Sequence, residues 1–104
     1  MAEWMDVGEI GELPPGSRKI FNTPYCEIAV FNLAGEFFAI EDVCSHDGGE
    51  LASGVCEGDQ IICPRHGARF CIRNGRALTP PAYEDISTFP VRIENGMVQI
   101  DIDD

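Results

Sequence analysis

Two short stretches decide the fold of this chain: "CSHDGGEL", residues 44–51, and "CPRHGARF", residues 63–70. Each stretch holds one cysteine and one histidine beside glycine, and the sequence contains no other histidine. A Cys-x-His pair is followed, after sixteen residues, by a Cys-x-x-His pair. Mixed pairs of this kind are not typical of a disulfide framework or of a finger that sorts cysteines from histidines. The candidate ligands of one shared metal centre are Cys44, His46, Cys63 and His66.

Two thiolates with two imidazoles suit either a tetrahedral zinc or an iron–sulfur cluster in which histidine replaces cysteine on one iron. The neighbouring glycines favour the cluster. Its sulfurs carry negative charge that backbone N–H groups stabilise, and these donors come close only where side chains are absent. Gly48, Gly49 and Gly67 supply such positions directly after the ligands. A structural zinc needs fewer of them, and it remains the alternative.

The size and composition of the chain predict one small soluble domain. With 104 residues it can bury only a modest core, so a bound metal would add stability. Five cysteines are an odd number, which disfavours a complete disulfide framework. The first residues, "MAEWMDVGEI", lack the basic and apolar regions of a signal peptide, and no stretch is long enough for a membrane span. We therefore expect a cytoplasmic protein that does not enter a membrane.

The charge of the chain is strongly negative, at −11. This balance argues against nucleic acid as a partner, because phosphate backbones attract basic proteins. It favours a well-solvated surface or a docking face for basic protein partners. Basic residues are concentrated only around the second motif, where four of the seven lie: Arg65, Arg69, Arg73 and Arg76.

Turn signals at short intervals predict an all-β fold. Residues 25–42 read as a hairpin that turns at "AGE", with Cys26, Ile28 and Val30 on one face of its first strand. Residues 89–103 read as a second hairpin around Asn95-Gly96. Between them, residues 41–82 are rich in glycine, proline and cysteine and have only short strand-like pieces. We interpret them as an inserted segment that a metal centre could order.

With these motifs the chain resembles the Rieske [2Fe–2S] family, in particular the small ferredoxins of bacterial multicomponent aromatic-ring oxygenases. The similarity covers essentially the whole chain and rests on both ligand motifs, on "RNGRALTPPA" at 73–82 and on the closing hairpin. It implies a single domain, 1–104, with an antiparallel sandwich or barrel base at about 1–40 and 83–104. A small cluster-binding subdomain would be inserted at about 41–82.

The resemblance also implies a site with one Rieske-type [2Fe–2S] cluster. Cys44 and Cys63 would hold one iron, and His46 and His66 the other, so that each loop grips both irons. Around them we expect supporting positions at Gly48, Gly49, Gly67 and Ala68. Partner proteins are expected to dock at Asp47, Pro80 and Pro81.

Departures from other branches of the family predict a low reduction potential. High-potential Rieske proteins have an additional cysteine in each ligand loop, and Gly49 and Arg65 occupy those places here. Ala68 stands where that branch often has a serine that donates to a bridging sulfide. Fewer donors leave the reduced cluster less stabilised. We expect a potential near the lower end of the range of about −150 to +300 mV that Rieske centres span.

The function that the resemblance implies is electron transfer rather than catalysis, since both histidines are used as ligands and no base remains to activate a nucleophile. The expected partners are a flavin-dependent, NAD(P)H-oxidising reductase and a terminal oxygenase, and the chain is expected to be a monomer. Two alternatives remain: a small Rieske-like subunit of assimilatory nitrite reductase, and a structural zinc module that mediates assembly.

Overall fold

The computed structural model describes residues 3–44, 49–65, 67–80, 82 and 84–102. In this part of the chain the regular structure is ten β-strands and one short 3₁₀ helix, Ile10–Glu12, which confirms the all-β prediction. The strands are β1 (Trp4–Glu9), β2 (Arg18–Asn22), β3 (Glu27–Leu33), β4 (Glu36–Glu41), β5 (Cys56–Glu57), β6 (Gln60–Ile62), β7 (Arg69–Cys71), β8 (Thr88–Phe89), β9 (Val91–Glu94) and β10 (Met97–Asp101). None of the described segments forms a helix long and apolar enough to cross a bilayer.

The strands form three antiparallel sheets. The first has the order β1-β10-β9, the second β2-β3-β4-β8, and the third β5-β6-β7. The third sheet lies wholly within residues 41–82. Along the chain it comes between β4 and β8, and these two strands are hydrogen-bonded neighbours in the second sheet. The inserted segment therefore leaves the second sheet at one strand and returns to it at the neighbouring strand.

Both predicted hairpins are present, and each turns through two residues of left-handed backbone. Leu33 pairs with Glu36 across Ala34 and Gly35, whose φ angles are 54° and 98°. The second hairpin turns at Asn95 and Gly96, with φ angles of 51° and 78°. Such primed turns match the right-handed twist of the strands they join. The Asn-Gly pair is well suited to this backbone, whereas alanine adopts it less readily.

The second sheet packs on both faces, because side chains alternate along a strand. One face of β3 and β4 contacts the first sheet through residues such as Ile28, Val30 and Val98. The opposite face, which includes Phe31 and Ile40, packs against the inserted segment. The apolar residues that the inserted segment adds to this second cluster are Cys44, Leu51, Ala52, Ile61, Cys63, Ala68, Phe70, Ile72 and Ala82. The inserted segment thus shares its core with the second sheet.

Candidate metal centre

Cys44 and Cys63 each begin a loop that is closed by a backbone hydrogen bond of the same span. Cys44 lies three residues after the end of β4, and Cys63 directly follows the last residue of β6. The amide of Cys44 donates to the carbonyl of Gly49 at 2.7 Å, and the amide of Cys63 donates to the carbonyl of Ala68, also at 2.7 Å. In both loops the bond spans five residues. The two motifs that stand out in the sequence are therefore a matched pair in their closing hydrogen bonds.

The two thiols at the start of these loops are buried. Cys44 is 0% exposed and Cys63 is 1% exposed, and both belong to the apolar cluster that covers the second face of β3 and β4. None of the five cysteines is in a disulfide. The other three, Cys26, Cys56 and Cys71, are only half-buried. Two buried, unoxidised sulfurs held by matched loops are a donor set that fits a thiolate-bound metal cluster.

His46 and His66 lie outside the described residues, as do Asp47, Gly48 and Pro81. The roles assigned to these five residues from the sequence therefore stay predictions. The described members of the predicted site are Cys44, Gly49, Cys63, Gly67, Ala68 and Pro80.

Gly49 and Arg65 bring the two loops into contact. A β-carbon added to Gly49 would overlap the guanidinium of Arg65, so the arginine lies against the backbone of the first loop. Gly49 supplies the space that this close approach requires. The carbonyl of Gly49 also accepts a hydrogen bond from the amide of Cys44. Gly49 therefore closes the first loop and contacts Arg65 of the second.

Gly67 and Ala68 shape the end of the second loop. Gly67 has a φ of 75°, a left-handed backbone that glycine adopts without strain, and its amide donates to the carbonyl of Cys63 at 3.1 Å. Ala68 is fully buried in the same apolar cluster as Cys63. Its methyl group offers no hydrogen-bond donor at a position where a serine would offer one.

Pro80 follows a segment that is tied to the strand leaving the second loop. The amide of Leu78 donates to the carbonyl of Arg69 at 2.8 Å. In return the amide of Arg69 donates to the hydroxyl of Thr79 at 3.0 Å. Arg69 begins β7 immediately after Ala68, and Pro80, which is exposed, comes directly after Thr79. These bonds fix the start of the proline segment beside the second loop.

Arg18, on β2, is a positioning residue that the sequence analysis missed. Its Nη1 donates to the carbonyls of Ala52 and Gly54, both at 2.6 Å, and its guanidinium lies 5.6 Å from the centre of the Phe31 ring. These carbonyls follow the first loop. Gly54 in turn lies so close to Ile62, the residue before Cys63, that a β-carbon would overlap its carbonyl oxygen. Arg18 therefore holds the segment that links both loops.

Arg18 also affects the pKa of the Cys56 thiol. Burial raises the pKa of this thiol, and the neighbouring Arg18 opposes that rise. Cys56 lies in β5 and packs against the apolar cluster that contains Cys44 and Cys63. Cys56 is therefore a packing residue of the third sheet.

Much of the positive charge around the second motif is paired locally. Arg69 contacts Glu57 at 2.7 Å. Arg73 contacts Asp59 at 3.3 Å and Glu36 at 3.6 Å. These two arginines thus hold the strands of the third sheet and its border with β4, which reduces the free basic charge that the sequence indicated for this region.

Comparison with known proteins gives one consistent result. The family model described as the Rieske [2Fe–2S] domain matches residues 3–90. The 3-phenylpropionate/cinnamic acid dioxygenase ferredoxin subunit of Shigella flexneri serotype 5b (strain 8401) is 41% identical over 95 residues, which cover 89% of this chain and 88% of that protein.

Solved structures agree with this result. A complex of reduced oxygenase and oxidised ferredoxin in carbazole 1,9a-dioxygenase contains a chain with a TM-score of 0.89 and 29% identity, which covers 94% of this chain and 92% of that chain. The Sphingomonas yanoikuyae B1 ferredoxin gives a TM-score of 0.87 at 32% identity, covering 95% of this chain and 98% of that chain. A nitrite reductase small subunit from Mycobacterium tuberculosis, described as putative, shares the fold with a TM-score of 0.85 at only 19% identity, covering 97% of this chain and 96% of that chain.

The family match covers most of the chain and the similarity to ferredoxin subunits extends over nearly all of it. The buried cysteine pair and its glycine-bearing loops fit the cofactor of that family. The chain therefore belongs to the Rieske [2Fe–2S] family, and its cofactor is that family's [2Fe–2S] cluster.

Proposed function

We propose that this chain carries single electrons from a flavin-dependent, NAD(P)H-oxidising reductase to the terminal oxygenase of a multicomponent aromatic-ring oxygenase. The observation that carries the proposal is the matched pair of loops, which place two buried thiols in one apolar cluster. The chain's relatives are ferredoxin subunits of a dioxygenase, so an electron carrier rather than an enzyme is the function that agrees with them. A structural zinc module does not agree with this family.

Within this function we assign Cys44 and Cys63 to one iron and His46 and His66 to the other. When bound, the cluster accepts and releases one electron at a time. The burial of both cysteines supports their assignment. The cluster would lie between the two loops that begin at Cys44 and Cys63. On this basis we divide the chain into a base, at about 1–40 and 83–104, and a cluster-binding subdomain at about 41–82.

The supporting positions are Gly48, Gly49, Gly67 and Ala68. We assign the glycines the task of letting the backbone approach the cluster sulfurs, and Ala68 the task of closing the second loop without adding a donor. The buried methyl group of Ala68 and the absence of a disulfide among the cysteines support a low reduction potential. A low potential suits a carrier that passes electrons onward to an oxygenase.

We assign docking to Asp47, Pro80 and Pro81. The exposed Pro80 and its fixed connection to β7 support this choice. A carrier must bind two proteins in succession and release both, which favours a small interface where charge steers encounter more than it adds affinity. A net charge of −11 suits that role. We further propose that the protein acts as a monomer in the cytoplasm.

The proposal is tested by stopped-flow mixing of the reduced holoprotein with the oxygenase of the 3-phenylpropionate/cinnamic acid dioxygenase system as a surrogate partner. We expect reoxidation that slows as salt shortens the screening length from about 10 Å at 0.1 M to about 3 Å at 1 M. Asp47→Lys should change the rate more than Glu94→Lys, because Glu94 lies on β9 in the sheet that packs on the opposite face of β3 and β4.

Two results would contradict this function. One is the absence of electron transfer to the oxygenase at every salt concentration, together with reduction of nitrite when the protein is added to a nitrite reductase large subunit. The other is a rate that Asp47→Lys and Glu94→Lys change equally, which would remove the assigned docking surface.

A further inference from the structure

Three carboxylates meet beside the first ligand loop. Glu27 begins β3, Asp42 follows the last residue of β4, and Glu50 comes directly after Gly49. One carboxylate oxygen from each of Glu27, Asp42 and Glu50 lies within 4.8 Å of the other two. Glu27 and Glu50 are exposed, whereas Asp42 is buried, so solvent reaches the group at the two glutamates.

This arrangement runs against the usual pairing of charges in a sheet. The register that pairs Ile28 with Glu41 continues to Glu27 and Asp42, and the amide of Asp42 donates to the carbonyl of Glu27 at 2.8 Å. Like charges directly opposite each other destabilise a strand pair. No lysine or arginine in the described part of the chain forms a salt bridge with any of the three carboxylates.

Asp42 is the buried member of this group of carboxylates. Its residue is 6% exposed, and its Oδ1 accepts hydrogen bonds from the amides of Leu51 and Ala52, both at 2.7 Å. Its Oδ2 is buried and has no hydrogen-bond partner among the described residues. A buried carboxylate oxygen without a partner is costly, and its neighbours Glu27 and Glu50, when ionised, can accept hydrogen bonds but cannot donate them. Among the residues that the structure describes, none donates a hydrogen bond to Oδ2.

We propose that Glu27, Asp42 and Glu50 bind a hard divalent cation of the calcium type. Such ions take oxygen ligands only, and Ca²⁺ accepts six to eight of them in flexible geometry. The three carboxylates provide part of this set, and the open side next to the two exposed glutamates admits water for the rest. Mg²⁺ suits the site less, because it demands near-ideal octahedral geometry and gives up its water reluctantly.

The electrostatics of Glu27 agree with the proposal. Loss of hydration, then the charge and hydrogen bonding of Asp42, then the charge of Glu50 raise the pKa of the exposed Glu27. A cation among these oxygens reverses the two charge effects, since it favours the ionised carboxylate. The site would also hold the first ligand loop at both ends, because Asp42 precedes Cys44 by two residues and Glu50 follows Gly49.

The test is isothermal titration of CaCl₂ into the holoprotein, after removal of divalent ions, in about 0.1 M NaCl so that diffuse counterion binding is screened. We expect one Ca²⁺ per chain with a dissociation constant of about 10⁻⁴–10⁻³ M, as in weak oxygen-ligand sites. The melting temperature of the holoprotein should rise with Ca²⁺ and rise less with equal MgCl₂.

Substitutions distinguish Ca²⁺ binding at this site from a general effect of negative surface charge. Glu27→Gln and Glu50→Gln remove a charged ligand at an exposed position, and each should weaken binding about tenfold or more, in keeping with the dependence of calcium affinity on ligand charge. Glu94→Gln removes the same charge on β9, outside the cluster, and should bind like the unchanged protein. Asp42→Asn keeps an oxygen for the two amides and should lose the thermal response to Ca²⁺.

The proposal is overturned if no saturable binding is seen, or if Glu27→Gln and Glu94→Gln bind Ca²⁺ equally. It is also overturned if Asp42→Asn keeps the full rise in melting temperature. None of these outcomes depends on electron transfer, so the cation site and the proposed function succeed or fail separately.

Discussion

The guanidinium of Arg65 lies against Gly49, in the space that a β-carbon on residue 49 would occupy. This chain departs here from high-potential Rieske proteins, in which the two additional cysteines are expected at these positions. In this chain the same two positions meet through an arginine and a glycine instead of a disulfide. The contact between the ligand loops is therefore kept by packing, and it depends on the missing side chain of Gly49.

Gly49→Ala should destabilise the holoprotein by about 1–3 kcal/mol, because the new methyl group displaces the guanidinium of Arg65. For a domain of this size each kcal/mol lowers the melting temperature by about 4–8 °C. Arg65→Ala removes the obstacle, so the second substitution should cost much less in that background. Thermal melts of both single variants and the double variant measure the coupling; strictly additive losses would mean that the two residues do not interact.

Alanine at Cys44, His46, Cys63 or His66 should abolish or grossly alter the visible chromophore, because a two-iron cluster requires all four ligands. Iron and acid-labile sulfide analysis should give about two of each per chain for the unchanged protein and far less for these variants. Absorption spectra after expression under iron-replete conditions provide the comparison.

The matched controls for this experiment are Cys26→Ala, Cys56→Ala and Cys71→Ala, which remove half-buried thiols from the same chain. They should keep the chromophore, although Cys56→Ala should lower the melting temperature because Cys56 packs against the apolar cluster. Loss of colour in any of the three would remove the proposed ligand set, as would a colourless unchanged protein containing stoichiometric zinc.

Arg18→Ala should destabilise the holoprotein by about 1.5–3 kcal/mol and speed the loss of its cluster to a chelator. Two charge-assisted hydrogen bonds to Ala52 and Gly54 disappear, and both carbonyls belong to the segment that links the ligand loops. Arg18→Lys keeps the charge but not the fork of donors, so it should recover only part of the stability. Arg76→Ala, at an exposed arginine, is the control; equal effects of Arg18→Ala and Arg76→Ala would contradict the role given to Arg18.

Local patterns in the sequence predicted much of the fold. Asn95-Gly96 specifies a two-residue turn through its own backbone preferences, and alternation of apolar residues specifies the strands on either side. The spacing of Cys44 and Cys63 within glycine-bearing motifs likewise predicted two loops of one site. These features depend on neighbours in the chain, so they can be read without knowing how distant segments pack.

Arg18 and Asp42 were not predicted, because their roles depend on contacts across the fold. Arg18 reaches carbonyls 34 and 36 residues further along the chain, and it looks like an ordinary surface arginine in an alternating strand. Asp42 accepts amides nine and ten residues away, beyond the first ligand loop. A backbone carbonyl or amide that forms such a bond leaves no mark on the residue type that provides it. Only closure of the loops over the second sheet brings these partners together.

Ala68→Ser should raise the reduction potential of the cluster. Ala68 is fully buried behind the second ligand loop, and the family resemblance implies that a serine here donates a hydrogen bond to a bridging sulfide. One such bond contributes about 0.5–1.5 kcal/mol. Since 59 mV corresponds to about 1.4 kcal/mol for one electron, the expected rise is roughly 20–60 mV.

Protein-film voltammetry of the holoprotein measures this shift, and Ala29→Ser provides its control. Ala29 is an equally buried alanine of the same apolar cluster, but it lies on β3 rather than on a ligand loop. Both substitutions bury a hydroxyl and should lower the melting temperature, whereas only Ala68→Ser should move the potential. An unchanged potential in Ala68→Ser, or an equal shift in Ala29→Ser, would show that the methyl group of Ala68 is not what keeps the potential low.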